Sequence, residues 1–280
     1  MEKIIDYSIK NDIIFKHVFS NEDVLKNFLE AILNKKINTI EIDKQYNLQK
    51  INFSDKELYL DVKATINNEE IVVLEMQKSK DPDFINRLVL YISAINREQI
   101  ETAEEYNKLK KVYSLAILNY TIRNDIEKYH TIWAMTEESN LKYKLEETPS
   151  IHMMELTKFK NMNPKLESRA DLWLAYIEGT NPEWVNKAMK ENKYIEEAEK
   201  IRQDFLADEN NRLLIDKYEI WKLDERSKEK RAEEKGEIKG FENGVKSTII
   251  SMHKKGIDVK TIAEIVNKTE EEVNEIISKK

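Results

Sequence analysis

The chain contains no cysteine. That excludes disulfides, thiolate zinc sites and cysteine nucleophiles, and it fits a reducing cytoplasm, where we expect the protein to work. Glycine and proline are scarce, at 5 and 4 of 280 residues. So few turn-formers argue against a β-sandwich and for much helix. No apolar run approaches the ~18 residues of a membrane helix. The longest, Val112 to Leu118, is strand-sized and interrupted by Ser114. The opening MEKIIDYSIKND has no apolar segment of the secretory kind. A basic excess is missing too, since the formal net charge is −7. Proteins that grip long stretches of DNA are usually basic. The balance weighs against strong standing affinity for nucleic acid, but a local basic groove can coexist with an acidic whole.

Apolar residues make up 40% of the chain and charged residues 35%, enough for one large domain or two small ones. Ile14, Phe15, Val18 and Phe19 stand at helical spacing, and Ser20 with Asp23 predicts a capping box for a second helix striped by Leu25, Phe28, Leu29, Ile32 and Leu33. A short strand is expected around Thr39 to Ile42. From Leu58 to Ile66 apolar and polar residues alternate, and Ile71 to Gln77 is nearly all apolar. With Asn67-Asn68-Glu69 between them, these segments predict a β-hairpin whose second strand is covered on both sides. Asp81-Pro82-Asp83 then opens a helix striped by Phe84, Leu88, Tyr91, Ile92 and Ile95, and Val112 to Leu118 is a buried strand. The order helix, strand, hairpin, helix, strand is that of an α/β core with a mixed sheet. Strands are also expected over Thr131 to Met135 and Ile151 to Leu156, and helices over Leu166 to Ile177 and Trp184 to Leu206. Residues 208–239 are highly charged and helical in composition, and Gly236, Gly240 and Gly244 recur every four residues. The tail predicts three short helices, with Gly256 closing the first, Asp258 capping the second and Thr269 with Glu272 boxing the third. The chain thus divides into 1–160, 161–245 and 246–280.

The strand period supplies a concrete geometry. Glu75 and Gln77 leave the same face of one strand. Matching the apolar faces of the hairpin pairs Ala64 with Val72, Val62 with Leu74 and Leu60 with Met76, which sets Asp61 opposite Glu75. A one-residue slip would mix the two faces. Cross-strand Cβ atoms lie ~4.5–5.5 Å apart, so two such carboxylates repel unless something positive lies between them. A hard divalent cation is one solution; solvent at a sheet edge is the other. Val73 shares the face of Glu75 and implies that this face is at least partly covered.

The stretch Leu60-Asp61-Val62 … Val73-Leu74-Glu75-Met76-Gln77 resembles the D…ExQ variant of the PD-(D/E)xK nuclease signature, and more narrowly the Rpn family of recombination-promoting nucleases, also described as transposases of that type. Asn11-Asp12-Ile13-Ile14-Phe15-Lys16-His17-Val18-Phe19 is similar to that family's N-terminal D..FK..F segment, and Arg87 with Tyr91 resembles its R…Y pattern. The resemblance implies a PD-(D/E)xK-type α/β core followed by a helical C-terminal region, and a metal-dependent endonuclease that acts on DNA and is linked to recombination or gene mobility. It makes Asp61 and Glu75 ligands of Mg²⁺ (or Mn²⁺) and puts Gln77 in the place of the motif lysine. A neutral amide offers hydrogen bonds where lysine offers charge. Lys63, Lys78, Lys80 or Arg87 then has the missing charge to supply.

Asp12 and Lys16, four apart, form either an ordinary surface ion pair or a pair aimed over the active hairpin. Arg87 and Tyr91 either pack on the sheet or contact phosphate. His17, His130, His152 and His253 have no metal-ligand spacing and are read as structural or surface residues. Trp173, Tyr176 and Trp184 are read as core. The C-terminal helices are expected to mediate homo-oligomer formation rather than DNA reading, since Thr269-Glu270-Glu271-Glu272 is acidic. Two alternatives stand beside the nuclease: an inactive nuclease fold kept for binding or regulation, and an enzyme acting on RNA.

Overall fold

The computed structural model describes residues 6–43, 61–100, 105–146 and 148–278. Asn11 opens the ordered core. Its side chain accepts the Ile13 and Ile14 N–H groups and caps α1 (Asp12–Phe19). α2 (Glu22–Leu33) is capped by Asn21, which accepts the Val24 N–H at 3.0 Å. This corrects the expected Ser20–Asp23 box. Ser20 instead closes α1, where its hydroxyl donates to the Lys16 carbonyl four residues back, a bond open to serine on a helix.

Six strands follow: β1 (Ile40–Ile42), β2 (Val62–Ile66), β3 (Glu70–Gln77), β4 (Lys111–Leu118), β5 (His130–Trp133) and β6 (Ser150–Glu155). They form one mixed sheet in the order β1-β2-β3-β4-β6-β5. β3, β4 and β6 run parallel, and the other pairs are antiparallel. The hairpin register is Val62 with Leu74, Lys63 with Val73 and Ala64 with Val72, as the alternation requires. Asn67 and Asn68 turn it with positive φ of 51° and 60°, a conformation asparagine tolerates. The expected strand residues Leu58 to Leu60 lie outside the described residues. α3 (Phe84–Glu98) crosses from β3 to β4. It starts later than Asp81-Pro82-Asp83 suggests, because the Asp81 carboxylate accepts the Asp83 N–H at 2.8 Å and holds that tripeptide as a turn.

The two faces of β3 carry different cores. Val72, Leu74 and Met76 pack with Phe15, Phe19, Phe28 and Trp173 beneath the helical layer. Ile71 and Val73 pack under Tyr91, Ile92 and Ile95 of α3. Such double cover is what an apolar parallel strand needs.

The helices α4 (Leu156–Asn161), α5 (Arg169–Glu178), α6 (Pro182–Glu191) and α7 (Lys193–Ala207) complete the layer. A single helix over Trp184–Leu206 does not form, because Asn192 is extended (φ −139°, ψ 106°) and caps α7. Its buried amide also donates to Asn27 Oδ1 at 2.9 Å, and Trp173 Nε1 donates to the same oxygen at 3.0 Å. One asparagine therefore ties α2, α5 and the α6–α7 corner together. Two compact units emerge, 1–215 and 216–280. Residues 166–198 share the core of α1, α2 and the sheet, so the division falls near residue 215 and not at 160. It lies within α8 (Glu209–Lys254), a 46-residue helix that merges the charged segment with the first expected tail helix.

In the second unit Ile249 packs with Ile262 and Ala263 of α9 (Val259–Val266) and Val273 of α10 (Glu270–Ser278). Gly256 has a positive φ of 86° and ends α8 as expected. Asp258 caps α9, and Thr269 and Glu272 exchange hydrogen bonds at 2.9 and 3.2 Å. Gly236, Gly240 and Gly244 face open space within the chain. Among the described residues no helix is long and apolar enough to cross a membrane.

Asn27→Leu keeps the branched side-chain outline but strands two buried donors. Each orphaned donor costs about 1–3 kcal/mol. Urea denaturation should show a lower midpoint with an unchanged slope; an unchanged midpoint would show that the asparagine bridge contributes nothing.

Candidate metal centre

The β2–β3 ladder, extended by one residue, sets Asp61 opposite Glu75. Beyond Val62 the Asp61 side chain takes over from the backbone, its carboxylate accepting the Met76 N–H at 2.7 Å. Glu75 is 2% exposed, walled by α3. Burial first, and then the neighbouring Asp61 charge, push its carboxyl from an ordinary 4.5 up to about 8, while Arg87 and a hydrogen bond from the Gln77 side chain pull the other way. Its Oε1 is buried and has no hydrogen-bond partner among the described residues. A native buried oxygen is rarely left so.

Gln77 sits between two groups of opposite need. Its side chain hydrogen-bonds Glu75, and its Oε1 accepts Arg87 Nη2 at 3.0 Å. An amide both donates and accepts in this way; an ammonium only donates. A lysine here would also face the Arg87 guanidinium. Arg87 is held from its other side by an ion pair to Asp81. Tyr91, one turn further along α3, lies under the same influence. Burial, and then the Glu75 charge, raise its phenol to about 12.

The structure thus gathers Asp61, Glu75, Gln77, Arg87 and Tyr91. Lys16 of α1 joins them, because Asp61 supports its charge against the burial that lowers its pKa. Asp12 stands one turn before Lys16, in the first turn of α1. Lys63 is drawn away: its ammonium lies 3.2 Å from Glu98 and 3.7 Å from Asp43, toward the far end of α3. Lys78 pairs with Asp6 at 2.8 Å, and Lys80 is exposed. Of the four cations considered for the missing charge, Arg87 is bonded to Gln77. Sequence reasoning missed Asp81 as its anchor, since a residue in the turn before a helix carries no periodic signal. It also missed that His130 Nε2 and His152 Nδ1 meet at 3.1 Å on neighbouring strands. Burial keeps both imidazoles below their usual pKa, and His152, also repelled by His130 and Lys111, falls to about 4.

The donor set suits a hard divalent ion: two carboxylates on adjacent strands, one with an unsatisfied buried oxygen. Among the described residues no group of three or more His, Cys, Asp or Glu side chains could hold a metal, so Asp61 and Glu75 would bind it with oxygens from water or substrate.

The raised pKa of Glu75 has a consequence for stability. The folded chain keeps a proton that the unfolded chain loses near pH 4.5. Stability from this group is therefore full below about 4.5 and declines as pH rises through about 8. In chelator, Glu75→Gln should become the more stable protein at pH 8, by on the order of a few kcal/mol, with the gap closing toward pH 4.5. Urea melts across that range measure it; a gap independent of pH would contradict the assignment.

A family model for the PD-(D/E)XK nuclease family transposase matches residues 9–232, a span that holds the sheet, the helical layer and every residue of this centre. Neither a curated protein nor a solved structure matches the chain significantly. The α/β core with its six-stranded mixed sheet, the helical C-terminal region and the family match agree, and the chain belongs to the PD-(D/E)XK nuclease family transposases.

Proposed function

We propose that this protein is a metal-dependent endonuclease that hydrolyses DNA phosphodiester bonds in recombination or mobile-element movement. The observation that carries this reading is the buried Glu75 oxygen that has no hydrogen-bond partner among the described residues, on a carboxylate set opposite Asp61 on the neighbouring strand. Asp61 and Glu75 would hold Mg²⁺ or Mn²⁺. Such an ion, when bound, polarises a phosphoryl oxygen and lowers the pKa of water. The chain's own residues do the rest. The Met76 N–H fixes the Asp61 carboxylate. Gln77 orients Glu75 and hands its carbonyl to Arg87. Arg87 supplies the positive charge that lysine supplies in the ExK form, stabilising charge that builds on the phosphate. Tyr91 stays protonated and can donate a hydrogen bond.

Purified protein with plasmid and Mg²⁺ or Mn²⁺ should cut, and Asp61→Ala should not; cleavage that survives in the variant would refute the site, and faster cutting of labelled RNA would reassign the substrate. Arg87→Ala should slow turnover about 10²-fold, the scale for losing one such donor, and Arg87→Lys should recover part of it. Gln77→Lys should impair the parent yet help Arg87→Ala. Additive effects in that double-mutant cycle would show that the two side chains act separately.

Self-association through the C-terminal helices is part of the same reading. Ile220, Leu223, Ile238 and Phe241 expose apolar side chains along α8. Light scattering should report a mass above one chain, reduced by Ile238→Glu with Phe241→Glu; a monomeric parent would remove this part alone.

A further inference from the structure

The net charge of −7 conceals a local reversal at the carboxyl-terminal rim of the parallel strands. Gln77 ends β3 beside Leu118 of β4, which in turn pairs with Glu155 of β6. Lysines from three distant parts of the chain collect here. Lys78 directly follows Gln77. Lys10, just before the α1 cap, donates to the Asn119 side-chain oxygen at 3.3 Å and to the Glu178 carbonyl at 2.9 Å. Asn119 is itself bound to the Gln77 carbonyl through its N–H at 2.9 Å. Lys160 in α4 donates to Thr180 Oγ1 at 2.8 Å and lies 3.7 Å from the Glu178 carboxylate.

Lys10 is the informative member. An ammonium has three N–H donors, and here two go to neutral oxygens. Among the described residues Lys10 makes no ion pair. Burial lowers its pKa; Glu178 and Asp6 oppose this, while Lys160 and Lys78 add repulsion. A half-buried cation with a spare donor and two like charges nearby calls for an anion. The rim begins one residue beyond Gln77 and lies at the end of a parallel sheet where α/β proteins bind ligands.

We propose that Lys10, Lys78 and Lys160, with Asn119, form a phosphate-binding surface that carries the DNA backbone beside the scissile bond. This rests on the nuclease reading above. Lys10 offers its third donor. Lys78 and Lys160 exchange Asp6 and Glu178 for phosphate; the buried Glu178 carboxylate keeps the Thr180 N–H and hydroxyl as donors when Lys160 turns away. The surface explains how an acidic chain holds a polyanion: binding is local and strongly dependent on salt.

The test is fluorescence anisotropy of a labelled DNA duplex with the full chain in chelator, over a salt series. Each phosphate contact contributes about 0.9 to the slope of log K against log salt. Lys10→Gln should flatten the slope by about 0.9 and weaken binding several-fold. The triple Lys→Gln variant should flatten it by about 2.7. Lys10→Arg should keep the parental slope, and so should Lys35→Gln, whose ion pair with Glu70 lies at the opposite end of β3. With metal, the same variants should raise KM and leave kcat. Should Lys10→Gln unfold, Lys78→Gln with Lys160→Gln carries the prediction. Variants with the parental slope and affinity overturn the proposal, as does tighter binding of an RNA duplex of the same sequence. Cleavage with unaltered slopes sinks this surface alone; altered slopes without any cleavage sink the nuclease reading alone.

Discussion

Glu75 brings a carboxyl group into a position almost closed to water, opposite a second carboxylate, and the surrounding architecture answers that burden. Moving an acid into such a place is costly unless it stays neutral or meets a positive partner. The fold does a little of each. α3 seals the face with Tyr91, Ile92 and Ile95, which raises the pKa of Glu75. The same helix brings Arg87, which opposes that rise. Gln77 stands between acid and guanidinium because its side chain serves both. The glutamine is therefore no mere loss of the motif lysine. It is the residue type that fits once the cation comes from the helix.

Holding this arrangement requires a strand that cannot slip. β3 lies inside the sheet with an apolar cluster on each face, and a shift of one residue would exchange the two. Behind it the helical layer is fixed by packing and by one polar junction. Asn27 accepts from Trp173 and Asn192, so helices far apart in the chain share an oxygen that has no other place to be satisfied. Directional bonds of this kind add geometric constraint where apolar contact alone would tolerate sliding.

Charge is distributed with the same economy. The chain is acidic overall, yet lysines cluster where parallel strands end, beyond Gln77. The acids among them occupy some donors and, among the described residues, Lys10 bonds neutral oxygens only. In the proposed reading, long-range attraction for a polyanion is muted and contact is confined to this rim. Ile220, Leu223, Ile238 and Phe241 of α8, apolar and exposed, belong to the second compact unit; in the proposed reading they serve assembly rather than chemistry.

Much of this was legible along the chain. The alternation at 58–66, the apolar run at 71–77 and the Asn-Asn-Glu turn determined the hairpin, its register and the pairing of Asp61 with Glu75, because side-chain period and face burial are local properties. The helical stripes, the Gly256 stop and the caps at Asp258 and Thr269 followed for the same reason. Tertiary structure alone decided which cation meets Gln77. Lys63 shares the Asp61 face by period, yet Glu98 and Asp43 draw it away, and Arg87 reaches Gln77 through a helix whose crossing angle no local pattern records. It also brought Lys10 beside Asn119 across 109 positions. Backbone periodicity is written in neighbours; the field at a buried carboxylate depends on whatever the fold sets near it, and that sum exists only once the chain is packed.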